Sequence, residues 1–266
     1  MKRLLASLIA ASLAVASAAP AHAQFGGPEA TAVKPGFVLP AGEARILVFR
    51  PEIAVGAQTT GGMNEPSAEW TRAARANLLA ALAKAPAIAG STLVIAPELE
   101  GDKGALLDDY TALFKTVAQA AFSHKMFPGN RLPTKKSDFE WTLGEGAAAL
   151  KPLGGDYGLF FLTYDSYGST GRKVAQVLGL LMGAGFIPSG VHIGYAGLVD
   201  LETGDLVWLN ADTAIGGDPR DAAGADKRMA QLLEDFPRKS TATTTGTVKV
   251  DVPPEKPEQT KGEPQP

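Results

Sequence analysis

The chain has 266 residues, a small excess of 28 Asp+Glu over 25 Lys+Arg, three histidines and no cysteine. Without thiols there can be neither a disulfide framework nor an acylated lipoprotein cysteine, and nothing in the charge balance points to electrostatic capture of nucleic acid. With 45% hydrophobic residues, a core of ordinary size is within reach.

Residues 1–23, MKRLLASLIAASLAVASAAPAHA, join basic Lys2 and Arg3 to an apolar stretch from Leu4 to Ala19 and a small-x-small site at Ala21 and Ala23. The pattern predicts an export signal cleaved after Ala23, with an apolar stretch too short for a span. The expected product is a periplasmic protein beginning at Gln24, with no transmembrane segment. Losing Lys2 and Arg3 leaves 23 basic against 28 acidic residues, a formal charge of −5. Residues 24–42, with Gly26, Gly27, Pro28, Pro35 and Pro40, read as a loose lead-in.

The domain is expected over residues 43–237. EARILVFRPEI, 43–53, is β-rich and stopped by Pro51, with a Gly- and Thr-rich loop after it. Asn64 is placed to cap a helix whose face is Trp70, Ala74, Leu78, Ala81, Leu82 and Ala85. STLVIAPEL, 91–99, is a second buried strand, and from Asp102 the positions Leu106, Tyr110, Phe114, Val117 and Ala121 repeat at helical spacing. A proline-containing loop at 126–136 precedes Ser137 and Glu140, a capping box that opens a short helix.

DYGLFFLTYD, 156–165, is the most continuous apolar run and the expected centre of the sheet. SYGSTGRK follows, with Ser169 or Thr170 as cap of a helix carrying Val174, Val177, Leu178 and Leu181. HIGYAGLVDL and DLVWLN flank a hairpin turn with Gly204 in the left-handed position. Asp218 and Pro219 open a last helix, with Ala222, Ala225, Met229, Leu232, Leu233 and Phe236 on its apolar face. The order β-α-β-α-α-β-α-β-β-α predicts one α/β domain with a mixed, about five-stranded sheet and helices packed on it. Residues 238–266, rich in Thr, Pro, Lys and Glu, read as a disordered tail.

The run FEWTLGEG, DYGLFFLTYDSYGSTGRK, GLVDLETGDLVWLN, GGDPRD and LLEDFP resembles a family of uncharacterised exported proteobacterial proteins. More distantly, the strand RILVFRP, the late hairpin and the terminal helix are similar to the α/β domain of envelope assembly proteins. That group includes the curli-export channel protein, the lipoprotein activators of penicillin-binding proteins and the amino-terminal domain of TolB. The resemblance implies a non-catalytic module that binds another envelope protein.

Several chemistries compete for the polar residues. Gly168 and Gly171 are too close for a nucleotide-binding P-loop, and Arg172-Lys173 is followed by Val174 where that loop needs a hydroxyl. A simpler anion site is open to Ser169, Thr170, Arg172 and Lys173 at a helix start. Tyr164, Asp165, Asn210, Asp212 and Arg220 form a candidate polar rim, since open α/β sheets hold ligands beyond the carboxyl ends of their strands. A structural ion pair between Asp165 and Arg172 or Arg220 accounts for the same residues. His192, at a strand start, reads as an edge residue. Asp212, Asp218 and Asp221 match no calcium-loop spacing. No metal, cofactor or catalytic residue is assigned; a hydrolase or anionic-ligand binder using the 164–172 rim is the alternative to a protein-binding role.

Overall fold

A computed structural model describes residues 29–40, 44–126, 128–135, 139–171, 174, 190–238 and 249–251. The five expected strands form the continuous centre of one mixed sheet, in the order β9-β8-β7-β2-β5. They are β2 (Arg45–Val48), β5 (Thr92–Ile95), β7 (Tyr157–Gly168), β8 (Gly190–Asp200) and β9 (Asp205–Asp212). β2 runs parallel to both β5 and β7, whereas β7, β8 and β9 pair antiparallel. The α/β architecture with a mixed sheet is therefore present.

The sheet is wider than expected, because short strands extend it. Glu29–Val33, read as a loose lead-in, is β1 and pairs antiparallel with β9. Pro51 breaks the run 43–53 into β2 and β3 (Glu52–Gln58), and β3 continues along β7 where β2 stops. β3 turns back into β4 (Asn64–Pro66), so much of the expected loop is a hairpin. Trp141–Thr142 is β6, paired with β9, and the turns that follow are a 3-10 helix, Glu145–Leu153, with Pro152 inside it. Ser137 lies outside the described residues. Within the expected tail, Lys249–Asp251 forms β10, parallel to β5.

Two caps fall elsewhere than predicted. Asn64 belongs to β4, and α1 (Ala68–Ala83) is capped by Ser67, whose hydroxyl accepts from the Trp70 amide at 3.2 Å. α2 spans Gly101–Met126. The cap of α3 (Ala222–Leu232) is Asp221, not Asp218, with its carboxylate on the Gly224 amide at 2.7 Å.

Helices cover both faces. α1 and α3 bury Leu78, Leu82, Met229 and Leu232 against Ile46, Val48, Phe161 and Leu198 on one side. On the other, α2 buries Phe114, Ala118 and Phe122 with Phe49, Phe160, Leu162 and Val199. Phe160 stacks between Phe49 and Phe114 at centroid distances of 3.9 and 4.6 Å. A β-bulge at Leu198/Val199 turns the neighbours Val207 and Trp208 both into the α1/α3 core. Gly197 lets α2 approach this sheet, since a Cβ there would lie 2.4 Å from the Phe114 ring. Gly204 has φ +74° in the β8–β9 turn, as its sequence predicts.

Candidate functional site

Alternation along β7 decides where its polar residues go. Thr163 and Asp165 face α1 and α3 and are buried, Asp165 completely. They meet Arg228 of α3, which is also fully buried. Its Nη1 and Nη2 donate to the two Asp165 carboxylate oxygens, each at 2.8 Å, the bidentate geometry that suits a guanidinium. Nη1 also donates to the Thr163 hydroxyl at 2.8 Å, Nη2 to the Gly217 carbonyl at 2.6 Å and Nε to the Gly216 carbonyl at 2.7 Å. All five guanidinium donors are thus used. The Thr163 hydroxyl in turn donates a hydrogen bond to Asp165 Oδ2 at 2.8 Å.

His192, at the start of β8, lies opposite Asp165 in the register and places Nδ1 2.8 Å from Asp165 Oδ1. Burial pushes the Asp165 carboxyl up, but the hydrogen bonds from His192, Arg228 and Thr163 outweigh it and leave the pKa below the ordinary value. An Asp–His pair of this kind orients an imidazole as general-base pairs do. Here, however, the carboxylate is already matched charge for charge by Arg228.

A second ion pair sits beside the first. Tyr167, two residues further along β7, packs on His192 with centroids 4.8 Å apart and donates its hydroxyl to Asp218 at 3.0 Å. Asp218 accepts from Arg220 Nε at 2.9 Å and Nη2 at 2.5 Å, and the Arg220 guanidinium lies 3.8 Å from the Tyr167 ring and 4.5 Å from the Trp70 ring. Burial raises the Asp218 pKa, yet its bonds from Arg220 and Tyr167 bring it down to about 2. The same environment pushes the Tyr167 phenol up, through burial first and then the Asp165 and Asp218 charges.

The predicted rim residues therefore separate. Asp165 and Arg220 join one network, though Asp165 pairs with Arg228 and not with Arg220. Asp212 is buried, which raises its pKa, and accepts from the Ala214 amide at 2.7 Å. Asn210 reaches the end of α3, donating to the Gln231 carbonyl at 2.6 Å and the Leu232 carbonyl at 3.3 Å. Tyr164 points to the opposite face and lines an open cleft of about 640 Å³. Ser169 extends the strand pairing, its amide donating to the Gln58 carbonyl at 2.9 Å, and Thr170 is exposed where the backbone turns helical. Arg172 and Lys173 lie outside the described residues.

Arg228 and the Asp165–His192 contact escaped the sequence reading. Arg228 offered a signal, as it falls between Ala225 and Met229 on the apolar face of α3. A cation there has to be paired inside the protein or hold a ligand. Asp212, Asp218 and Asp221 each have a separate partner, and among the described residues no three His, Asp or Glu side chains gather as a metal site. No described helix is long and apolar enough to cross a membrane.

No protein-family model matches the chain, and no curated protein matches it. Among solved structures it is similar to the PelC dodecamer from Paraburkholderia phytofirmans and to a methionine variant of that protein. In both cases the identity is 12% and the TM-score 0.37, over 80% of this chain and 99% of the other. A likeness of that size carries no inference about what this chain does.

Proposed function

We propose that the protein is an exported cell-envelope module that works by binding another envelope protein. The observation that carries this reading is the end of the sheet around Tyr167. Met63 at the β3–β4 turn is 72% exposed, and Val174, beyond the end of β7, and Val191, paired with Ser166 near that end, are exposed as well. Exposed large apolar side chains with polar groups about them are the usual make-up of a protein contact. The acid–base groups of that rim are engaged with one another and tie α3 and its lead-in to the sheet, a structural use of charge.

Two measurements test the proposal. Mass spectrometry of the chain recovered from the periplasm is expected to give a mature N-terminus at Gln24. A photoreactive residue at Met63 or Val191 is expected to cross-link one envelope protein, and the same probe at exposed Leu113, on α2, is not. Retention of Met1 in the cytoplasmic fraction, or equal cross-linking from all three positions, would contradict it.

The alternative, hydrolysis at the same rim, draws on the Asp165–His192 contact. A hydrolytic activity of the purified protein abolished by His192→Ala, with the fold intact, would establish that reading in place of the first.

A further inference from the structure

The open cleft of about 640 Å³ lies where β2 gives way to β3, between the polar edge of α2 and strands β3, β7 and β8, with Arg75 reaching it from α1. Three cations line it: Arg50 at the β2–β3 junction, Arg75 of α1 and Lys115 of α2. Lys115 is joined to Glu52 at 3.1 Å. Arg50 reaches Glu98 at 3.2 Å, but their side chains are 63% and 82% exposed, so the pair is weakly held.

Arg75 differs from both. Among the described residues it has no carboxylate within ion-pair distance, and its buried Nε–H donates to nothing. Burial lowers its pKa, and the neighbouring Arg50 charge lowers it further, with Glu98 offsetting only part. A half-buried guanidinium beside a second one, with a donor unmet, is an arrangement that an incoming anion would relieve.

The rest of the cleft limits what the anion is attached to. Tyr164 and the accessible edge of Tyr195, which is otherwise buried against Phe122, line the same cleft, and Asp108 and Gln119 stand along the α2 edge as hydrogen-bonding groups. A bare ion would leave most of this volume and these groups unused. A long apolar body would meet the exposed carboxylate of Asp108.

We propose that this cleft binds an acidic sugar, a uronic acid or a sugar phosphate. Its oxyanion seats on the guanidinium forks of Arg75 and Arg50, and its hydroxyl-bearing ring lies against Tyr164 and Tyr195. A planar fork with parallel N–H donors matches either a carboxylate or a phosphoryl group. The proposal goes beyond the protein-binding reading and stands or falls without it.

The test is an NMR titration of the mature protein with glucuronate, glucose 1-phosphate, inorganic phosphate and glucose. It follows backbone amides and the arginine Nε–H signals, with the Arg75 signal assigned through Arg75→Gln. One or both acidic sugars are expected to shift Arg75 Nε–H together with residues of the cleft, and the stronger of the two identifies the source of the oxyanion. Arg75→Gln is expected to weaken binding about tenfold to a hundredfold, the worth of a hydrogen bond to a charged group.

Because Arg75→Gln removes an uncompensated charge, its thermal midpoint is expected to equal or exceed that of the parent; a structural arginine would give a lower one. Arg75→Lys keeps the charge and loses the fork, and is expected to bind almost as poorly as Arg75→Gln. The proposal is overturned if neither acidic sugar shifts the cleft at high millimolar concentration, if Arg75→Gln binds as the parent does, or if glucose binds as well as glucuronate. Inorganic phosphate equal to glucose 1-phosphate, with no binding of glucuronate, would equally overturn it by leaving the sugar ring no role.

Discussion

Replacing Arg228 with methionine tests whether the buried ion pair is what holds α3 on the sheet. The side chain is fully buried, and methionine fills much of its volume without supplying a donor. The change strands a fully buried Asp165 carboxylate, the carbonyls of Gly216 and Gly217, and one acceptor position of Thr163. Removing one partner of a buried pair costs about 3 to 5 kcal/mol. Asp165 keeps the Thr163 hydroxyl and His192 as donors, which places the expected loss near the lower figure. For a domain of this size that is a fall in Tm of roughly 6 to 20 °C, with the smaller part of the range expected. Circular dichroism with urea and heat measures it, and the urea m-value checks that unfolding stays two-state. The double variant Asp165→Val with Arg228→Met removes both charges, and is expected to regain at least half of the loss, since an apolar pair of similar volume is often as stable as the ion pair. A single variant within about 1 kcal/mol of the parent, well below the cost of breaking a buried pair, would refute the reasoning. A double variant no better than the single one would do the same.

Three other outcomes follow from the geometry. Asp218 is held down to about 2, below its ordinary value of 3.8, so its stabilisation is fully present above about pH 4 and is lost as pH falls toward 2. Since the carboxylate is partly exposed, we expect this to amount to about 1 to 2 kcal/mol; urea midpoints across that window should fall more steeply for the parent than for Asp218→Asn. Tyr157, Tyr167 and Tyr195 have phenols raised by burial first of all, so their contribution holds below pH 10 and is lost as pH rises through their folded values. Absorbance at alkaline pH is expected to show a delayed phenolate fraction that appears together with unfolding. Gly197→Ala places a methyl against the Phe114 ring and is expected to cost about 1 to 3 kcal/mol, and Phe114→Leu in the same chain should return part of it.

The five central strands were legible because each carries a long apolar or alternating run, and the β8–β9 turn because Gly204 stands where a positive φ is needed. The short strands were not. Glu29–Val33 and Trp141–Thr142 become strands only because β9 offers a free edge, and nothing in EATAV or WT by itself outweighs the neighbouring glycines and prolines. Pro51 stops a strand, as the local pattern predicts; that pattern carries no sign that the chain resumes beside the same neighbour, β7, four residues later. The cap of α3 was misplaced by three residues because Asp218 and Asp221 are both good capping residues. Tertiary pairing decides between them: Asp218 is held by Arg220 and Tyr167, which leaves Asp221 for the helix.

The same dependence on tertiary partners explains why the candidate rim divided. Read along the chain, Tyr164 and Asp165 are adjacent and look like one site. In an extended strand adjacent side chains leave on opposite faces, so a polar pair at the end of β7 has to serve two different surroundings. Asp165 enters the face roofed by α3, where a buried carboxylate is tolerated only with full pairing, and Arg228 together with His192 provides it. Tyr164 enters the face where α2 no longer covers the sheet, beside arginines that the protein leaves without full pairing. The fully paired Asp165 carboxylate on one face and the unmet Arg75 donor on the other are opposite solutions to the same problem of placing charge near a core. The first stabilises the fold without a ligand, while the second leaves a guanidinium donor free for an anion, so the Tyr164 cleft is the place to seek a ligand.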